Sequence, residues 1–354
     1  MSSNRKRLGI LSVALSLVLI GWFTRCSDSK EDTPRGNAVY YWRTSFELSD
    51  VERKFLSENQ IEAMYVKFFD VVAEEMKLRP EATLLFTDTF PSGIEIVPTV
   101  FIDSKALSFV SDFNPREMAE LIVSRVDSMN VKNGCAISKE IQIDFDWTQT
   151  NQEDYFNLLS EIGERLHSKG RILSTTIRLH QLNMKAPPVD YGALMIYNTG
   201  YITSPDERNS ILSMESIRPY LGKLKGYSLP LVTALPIYSW NLLFRGDQFM
   251  VIARGMDYSD TTIFQHAKDN LYVAKRYMPV PMSSSGGEPG ARMIPGDILR
   301  HESAPYPLLD SVVNVLHSLK PDILNRVILY HLDEKSFTDY EKEEIRKIYR
   351  GGNN

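Results

Sequence analysis

Asp144, Asp146 and Thr148 alternate with Ile143, Phe145 and Trp147 in the stretch 141–148. That alternation has strand period, so two carboxylates and a hydroxyl share one face while the apolar side chains take the other. Paired carboxylates facing a common interior are equipped to transfer a proton, to stabilise developing positive charge, or to accept hydrogen bonds from a polar ligand. With helical patterning on both sides, such a strand fits an α/β (β/α)8 TIM barrel, whose chemistry sits at the carboxyl ends of its strands.

The elements needed to hold that strand are present in the right number. Apolar runs predict strands at 38–46, 63–71, 95–102, 140–148, 171–179, 193–198, 229–238 and 326–333, with helical patterns at 114–129, 151–167, 207–221 and 337–349 between them. In 151–167 the apolar residues Tyr155, Leu158, Leu159, Ile162 and Leu166 recur at helical spacing, and Asn151 stands where it would cap the helix. The reading is a single barrel domain over 38–350 with an insertion at about 241–321, between the seventh and eighth strands. The insertion holds the apolar run 249–253, readable as half a hairpin, and a glycine-rich tract at 283–290, readable as a solvated loop or as a lid.

Closing such a barrel brings the carboxyl-end side chains together: Trp42, Arg43, Lys67, Asp70, Asp103, Asp144, Asp146, Arg178, His180, Tyr197, Asn198, Tyr238, Trp240, His331 and Asp333. Aromatics beside carboxylates, amides and imidazoles make a sugar-binding palette, because a pyranose offers apolar C–H faces and hydroxyls. Lys67 with Asp70, and Asp144 with Arg178, read equally well as structural ion pairs. No metal or cofactor is expected: the six histidines are scattered and neither a His-x-x-x-His nor a Cys-x-x-Cys spacing occurs.

The amino terminus carries Arg5, Lys6 and Arg7, an uncharged apolar run over 8–23, then Cys26 and the acidic tether Ser27-Asp28-Ser29-Lys30-Glu31-Asp32. A basic region before an apolar run of this length is an export signal, short for a bilayer span of roughly 20 residues. The expected division is a signal or anchor at 1–26, a tether at 27–37, and the barrel beyond. The pattern resembles a bacterial lipoprotein signal of Bacteroidetes type, which implies lipidation of Cys26; Arg25 stands where that pattern has a small residue, and the alternative is an uncleaved signal anchor. Either way the expected location is the cell envelope. The first 26 residues hold four cationic side chains and no acidic one, so removing them from 40 Lys+Arg leaves 36 against 45 Asp+Glu, a charge near −9. That acidity excludes a nucleic-acid partner. With two cysteines in the chain, lipidation of Cys26 leaves Cys135 without a disulfide partner.

Three segments, in order, resemble the family 18 glycoside hydrolases, the chitinase-like barrels. Ile143-Asp144-Phe145-Asp146-Trp147 is similar to the Asp-x-Asp part of the fourth-strand motif, Met195-Ile196-Tyr197-Asn198 to the sixth-strand Met-x-Tyr-Asp/Asn, and Leu235-Pro236-Ile237-Tyr238 to the seventh-strand Leu-Pro-x-Tyr. The resemblance implies that Asp146, assisted by Tyr197, would engage the substrate's N-acetyl group. The motif ends in the glutamate that protonates the leaving oxygen, and here that position is Thr148. A hydroxyl cannot replace that acid, and losing general acid catalysis costs about 10² to 10⁴ in rate. Asp144, Asp103 or Asp333 would have to act instead in a rearranged site. The expected function is a glycoside hydrolase-like envelope protein that binds, with or without hydrolysis, a polysaccharide or amino-sugar glycan; the alternative is a non-catalytic envelope scaffold.

Overall fold

The computed structural model describes residues 33–75, 77–107, 113–281 and 290–351. Cys26, the tether up to Asp32 and nearly all of the 283–290 tract lie outside them. Eight parallel strands form the centre: β1 Gly36–Tyr41, β2 Ile61–Glu74, β3 Glu95–Ile102, β4 Glu140–Asp144, β5 Ile172–Arg178, β6 Tyr191–Met195, β7 Leu231–Pro236 and β8 Arg326–Tyr330. β1 pairs with β8 on one side and β2 on the other, which closes the barrel. The helices are α1 Asp50–Glu58, α2 Pro115–Lys132, α3 Gln152–His167, α4 Met214–Leu221, α5 Tyr306–Leu319 and α6 Lys342–Tyr349. Their apolar stripes pack on the outward side chains of the strands to form the main core; α3, for example, buries Tyr155, Leu158, Leu159, Ile162 and Leu166.

Several boundaries differ from the sequence reading, each for a local reason. β4 ends at Asp144, so Asp146 and Thr148 lie past the strand, although the in–out alternation continues: Phe145 and Trp147 are buried while Asp146 and Thr148 are exposed. Asn151 occupies the cap position of α3, but its side chain turns back and accepts the Thr148 backbone N–H at 2.7 Å instead of capping the helix. α4 starts at Met214, not at residue 207, because Asn209 Oδ1 accepts the Ile211 and Leu212 N–H groups and folds that segment into a turn. β1 stops at Tyr41; Ser45 and Phe46 pair instead with Leu85 and Phe86.

Two connections are reduced. Between β2 and β3 no helix occurs among the described residues; the long tail of β2 carries an antiparallel strand, Lys77–Glu81. β5 passes to β6 through one 3₁₀ turn, Leu179–Asn183. The insertion after β7 is a five-stranded antiparallel sheet in the order Gln248–Ile252, Trp240–Arg245, Ile298–Glu302, Leu271–Ala274, Phe264–Lys268. It ends at Glu302, short of the expected 321, because α5 returns to the barrel: Leu309, Val312, Val313 and Leu316 bury in the main core.

The barrel lumen is filled by side chains in layers. At its floor the buried Glu140 accepts from Tyr191 Oη at 2.6 Å, Tyr191 Oη lies 2.7 Å from Tyr65 Oη, and Arg326 donates to Tyr65 Oη at 3.1 Å. Above them Tyr40 Oη donates to Gln142 Oε1 at 2.8 Å. The next inward positions open at the mouth.

Candidate functional site

Strand period carries Asp144 on β4, Thr176 and Arg178 on β5, and Tyr197 just past β6 to the inner side of the mouth. Asp144 is 3% exposed; its Oδ1 accepts from Thr176 Oγ1 at 2.6 Å and from Arg178 Nη2 at 3.0 Å. Burial alone would lower the Arg178 guanidinium, but Asp144, then Tyr197 and Asp146, more than offset this and hold it above its usual value. Arg178 also contacts Met195 Sδ.

Lys67 and Asp70 are three apart, and strict alternation would send them to opposite faces. A bulge between Lys67 and Phe69 inserts one residue, so both project inward and pair at 2.9 Å. Burial raises the Asp70 carboxyl above its usual range, against the pull of Lys67. The Lys67 ammonium lies over the Trp42 ring, 5.9 Å from its centroid.

Aromatic rings line the rest of the mouth. Trp42 meets Tyr330 at 6.0 Å and Phe101 at 6.4 Å; Tyr330 stacks on Tyr197 at 5.0 Å; Tyr238 stands edge-on to Tyr330 at 5.6 Å and to Trp240 at 5.4 Å. Tyr238 Oη donates to Asn198 Oδ1 at 2.5 Å, and Trp240 Nε1 donates to the buried Glu302 Oε2 at 2.7 Å. Glu302 is fixed in turn by Arg300 Nε at 2.7 Å and the Ser210 N–H at 3.0 Å. At the mouth Tyr197 Oη and His331 Nδ1 are buried without a partner, and Asp70 Oδ1 is buried with only its ion-pair contact to Lys67. Burial pushes His331 down to about 4, so it is a neutral imidazole at pH 7, and it raises the Tyr197 phenol.

Of the residues read from sequence, the structure brings Trp42, Lys67, Asp70, Asp144, Arg178, Tyr197, Asn198, Tyr238, Trp240 and His331 to this mouth. Asp146 stands at its rim, half exposed, 3.6 Å from His180 Nε2. Asp103 and Asp333 are engaged elsewhere. Asp103 Oδ1 accepts the Lys105 N–H at 2.9 Å in the turn after β3. Asp333 Oδ1 accepts the Lys335 N–H at 2.9 Å, capping a helical turn, and its other oxygen lies 3.6 Å from Arg43. Arg43 pairs chiefly with the buried Glu52. Thr148 binds only locally, to Thr150 Oγ1 at 2.8 Å. Sequence reasoning missed Thr176, Tyr330 and Phe101, which share the inward parity of Arg178, Ile328 and Val97. Among the described residues no group of three or more His, Cys, Asp or Glu is arranged to hold a metal ion.

A closed parallel barrel with a side-chain-filled lumen, an aromatic mouth and a β-sheet inserted after the seventh strand is a chitinase-like (β/α)8 fold. Solved structures agree with it. The chain is similar to the spore cortex-lytic enzyme SleL of Bacillus cereus (12% identity, TM-score 0.53, covering 91% of this chain and 75% of that one). It is likewise similar to the C-terminal domain of a putative chitinase from Desulfitobacterium hafniense (10%, 0.53, covering 90% and 100%) and to catalytic domain 2 of the Group II chitinase of Ostrinia furnacalis (10%, 0.51, covering 90% and 97%). At such identities the likeness is one of fold. No protein-family model and no curated protein sequence matches the chain.

Proposed function

We propose that the chain is a cell-envelope lipoprotein, anchored through Cys26, whose chitinase-like barrel binds a polysaccharide or amino-sugar glycan at its mouth without hydrolysing it by the family's ordinary route. The observation that carries this reading is the state of the acids. The position equivalent to the family's proton-donating glutamate is Thr148, exposed and bonded only within its own turn. Asp144 and Asp70 each face a cation within 3.0 Å, so neither stands free to protonate a leaving oxygen. The features of recognition remain: tyrosine and tryptophan rings that suit pyranose faces, and the unpartnered Tyr197 Oη and His331 Nδ1, which a ligand's hydroxyl or amide groups would satisfy.

The test measures both binding and release of reducing ends on a panel of chito-oligosaccharides, peptidoglycan fragments and bacterial and host polysaccharides, with the full chain in detergent. Binding without release is expected, weakened by about tenfold or more in Tyr197→Phe and Asp146→Asn. Release abolished in Asp146→Asn would make the protein a hydrolase with an unconventional acid. No binding to any glycan would leave the barrel a scaffold. Anchoring is tested separately, by incorporation of radiolabelled palmitate into the chain and its loss in Cys26→Ala.

A further inference from the structure

We propose that the glycan taken by this mouth is acidic, with a carboxylate on one of its sugars, and that Arg254 is the residue that reads it. This deepens the glycan-binding reading above and rests on it.

The argument begins with the pairing of charges. Asp144 has the Arg178 cation at 3.0 Å and Asp70 the Lys67 cation at 2.9 Å, while Asp146 at the rim lies 3.6 Å from the His180 imidazole. Arg254 is the exception on the cationic side, exposed and with no acidic partner among the described residues. Its place is set by the insertion sheet. Leu242 pairs with Ile252, and the Ala253 N–H donates to Asn241 O at 2.7 Å. The strand ends at Ile252 and the Arg254 N–H turns back onto Ile252 O at 3.1 Å, so Arg254 directly follows the residue held against Asn241, the chain neighbour of Trp240 in the aromatic wall, and Asn241 Nδ2 pins the turn by donating to Met256 O at 2.8 Å. Burial raises the Tyr238 and Tyr330 phenols and lowers His331, and the Arg254 charge works against the first two shifts and with the third.

A second observation points to a ligand in the same place. Tyr197 is 6% exposed, with its hydroxyl buried and unpartnered, and His331, whose ring lies 5.2 Å from that of Tyr330, has a buried and unpartnered Nδ1. Tyr238 and Tyr330, which pack around Tyr197, are two of the groups that sense Arg254. A neutral sugar would satisfy Tyr197 and His331 and stack on the rings, yet leave Arg254 solvated. A sugar with a ring or ether-linked carboxylate would do all of this and also supply the planar oxygen pair that a guanidinium fork accepts in bidentate fashion.

The experiment uses the full chain in detergent at low salt, and two matched pairs of oligosaccharides. One is a hexuronate oligomer and its carboxyl-reduced counterpart; the other is a muramic-acid-containing oligomer and the same oligomer lacking the lactyl group. In at least one pair the acidic member should bind about tenfold more tightly or better, the equivalent of one charge-assisted contact of about 1.4 kcal/mol. That preference should shrink in Arg254→Ala, be partly kept in Arg254→Lys, and fall as salt is raised. The pair that discriminates identifies the source of the carboxylate. Equal binding of acidic and neutral members, or a preference untouched in a folded Arg254→Ala protein, would overturn the proposal while leaving glycan binding standing. Binding to neither member of either pair, nor to any neutral glycan, would remove the reading on which it rests and the proposal with it.

Discussion

Replacing Arg178 by methionine keeps much of the side chain's length but takes the cation away from Asp144. The carboxylate is 3% exposed and would retain only the Thr176 hydroxyl, at 2.6 Å. The side chains of the pair are 23% and 4% exposed, so water can reach the arginine end far better than the aspartate end. Removing one partner of a buried ion pair costs about 3–5 kcal/mol. The residual exposure and the Thr176 bond put this case at the low end, about 3 kcal/mol. In a chain of this length that corresponds to a fall in Tm of roughly 4 °C. Asp144→Asn in the same protein leaves no charge unpaired, so Arg178→Met with Asp144→Asn should cost less than the sum of the two single changes, by about 2 kcal/mol. The assay is thermal unfolding of the parent, both single variants and the double, followed by circular dichroism at pH 7. Simple additivity, or an Arg178→Met protein within about 1 °C of the parent, would refute the view that these two residues form a buried, mutually dependent pair.

Two further outcomes follow from the layers beneath and beside the mouth. Burial holds the floor carboxyl Glu140 at about 7, above its usual 4.5, so the folded state binds that proton more tightly than the unfolded chain. Its stabilising contribution is therefore full below about pH 4.5 and lost as pH rises through about 7, by up to about 3 kcal/mol. Glu140→Gln should flatten that decline, read as urea midpoints from pH 4.5 to 8; a parent-minus-variant difference that stays constant over this range would sink the assignment. Glu302→Gln turns an amide donor toward Trp240 or Arg300, leaving the buried arginine without its counter-charge. It should lower stability by about 3 kcal/mol and weaken acidic and neutral glycans alike, since it disturbs the wall and not the charge of Arg254.

The barrel was legible because its strands obey simple parity. Phe145 and Trp147 face the outer core and Asp144 the lumen, as the alternation in 141–148 requires. The same parity hides what breaks it. Lys67 and Asp70 fall on one face only because a bulge adds a residue between them, and no feature of the local sequence announces that bulge. Asn151 looked like a helix cap, yet a side-chain oxygen has two nearby donors to choose between, and the Thr148 N–H wins. Asp103 and Asp333 resemble Asp144 as strand-end acids, but each is followed two residues later by a backbone N–H that its carboxylate accepts. Arg254 depends on pairing between strands distant from the barrel motifs, which periodicity cannot reveal.

The tail of β2 has a consequence for solubility. A closed barrel offers no free strand edge, but β2 runs on past the closure and takes Lys77–Glu81 as a ninth strand, whose far side has no partner strand among the described residues. An open edge is where a second molecule could add a strand of its own. The sequence there is Lys77-Leu78-Arg79-Pro80-Glu81, almost wholly exposed. Pro80 has no N–H to offer, and the lysine, arginine and glutamate would each lose water if another sheet docked against them. The shortest route to self-association through the barrel is thus guarded by five residues, and a change such as Pro80→Val with Arg79→Thr would convert that border into a template for aggregation.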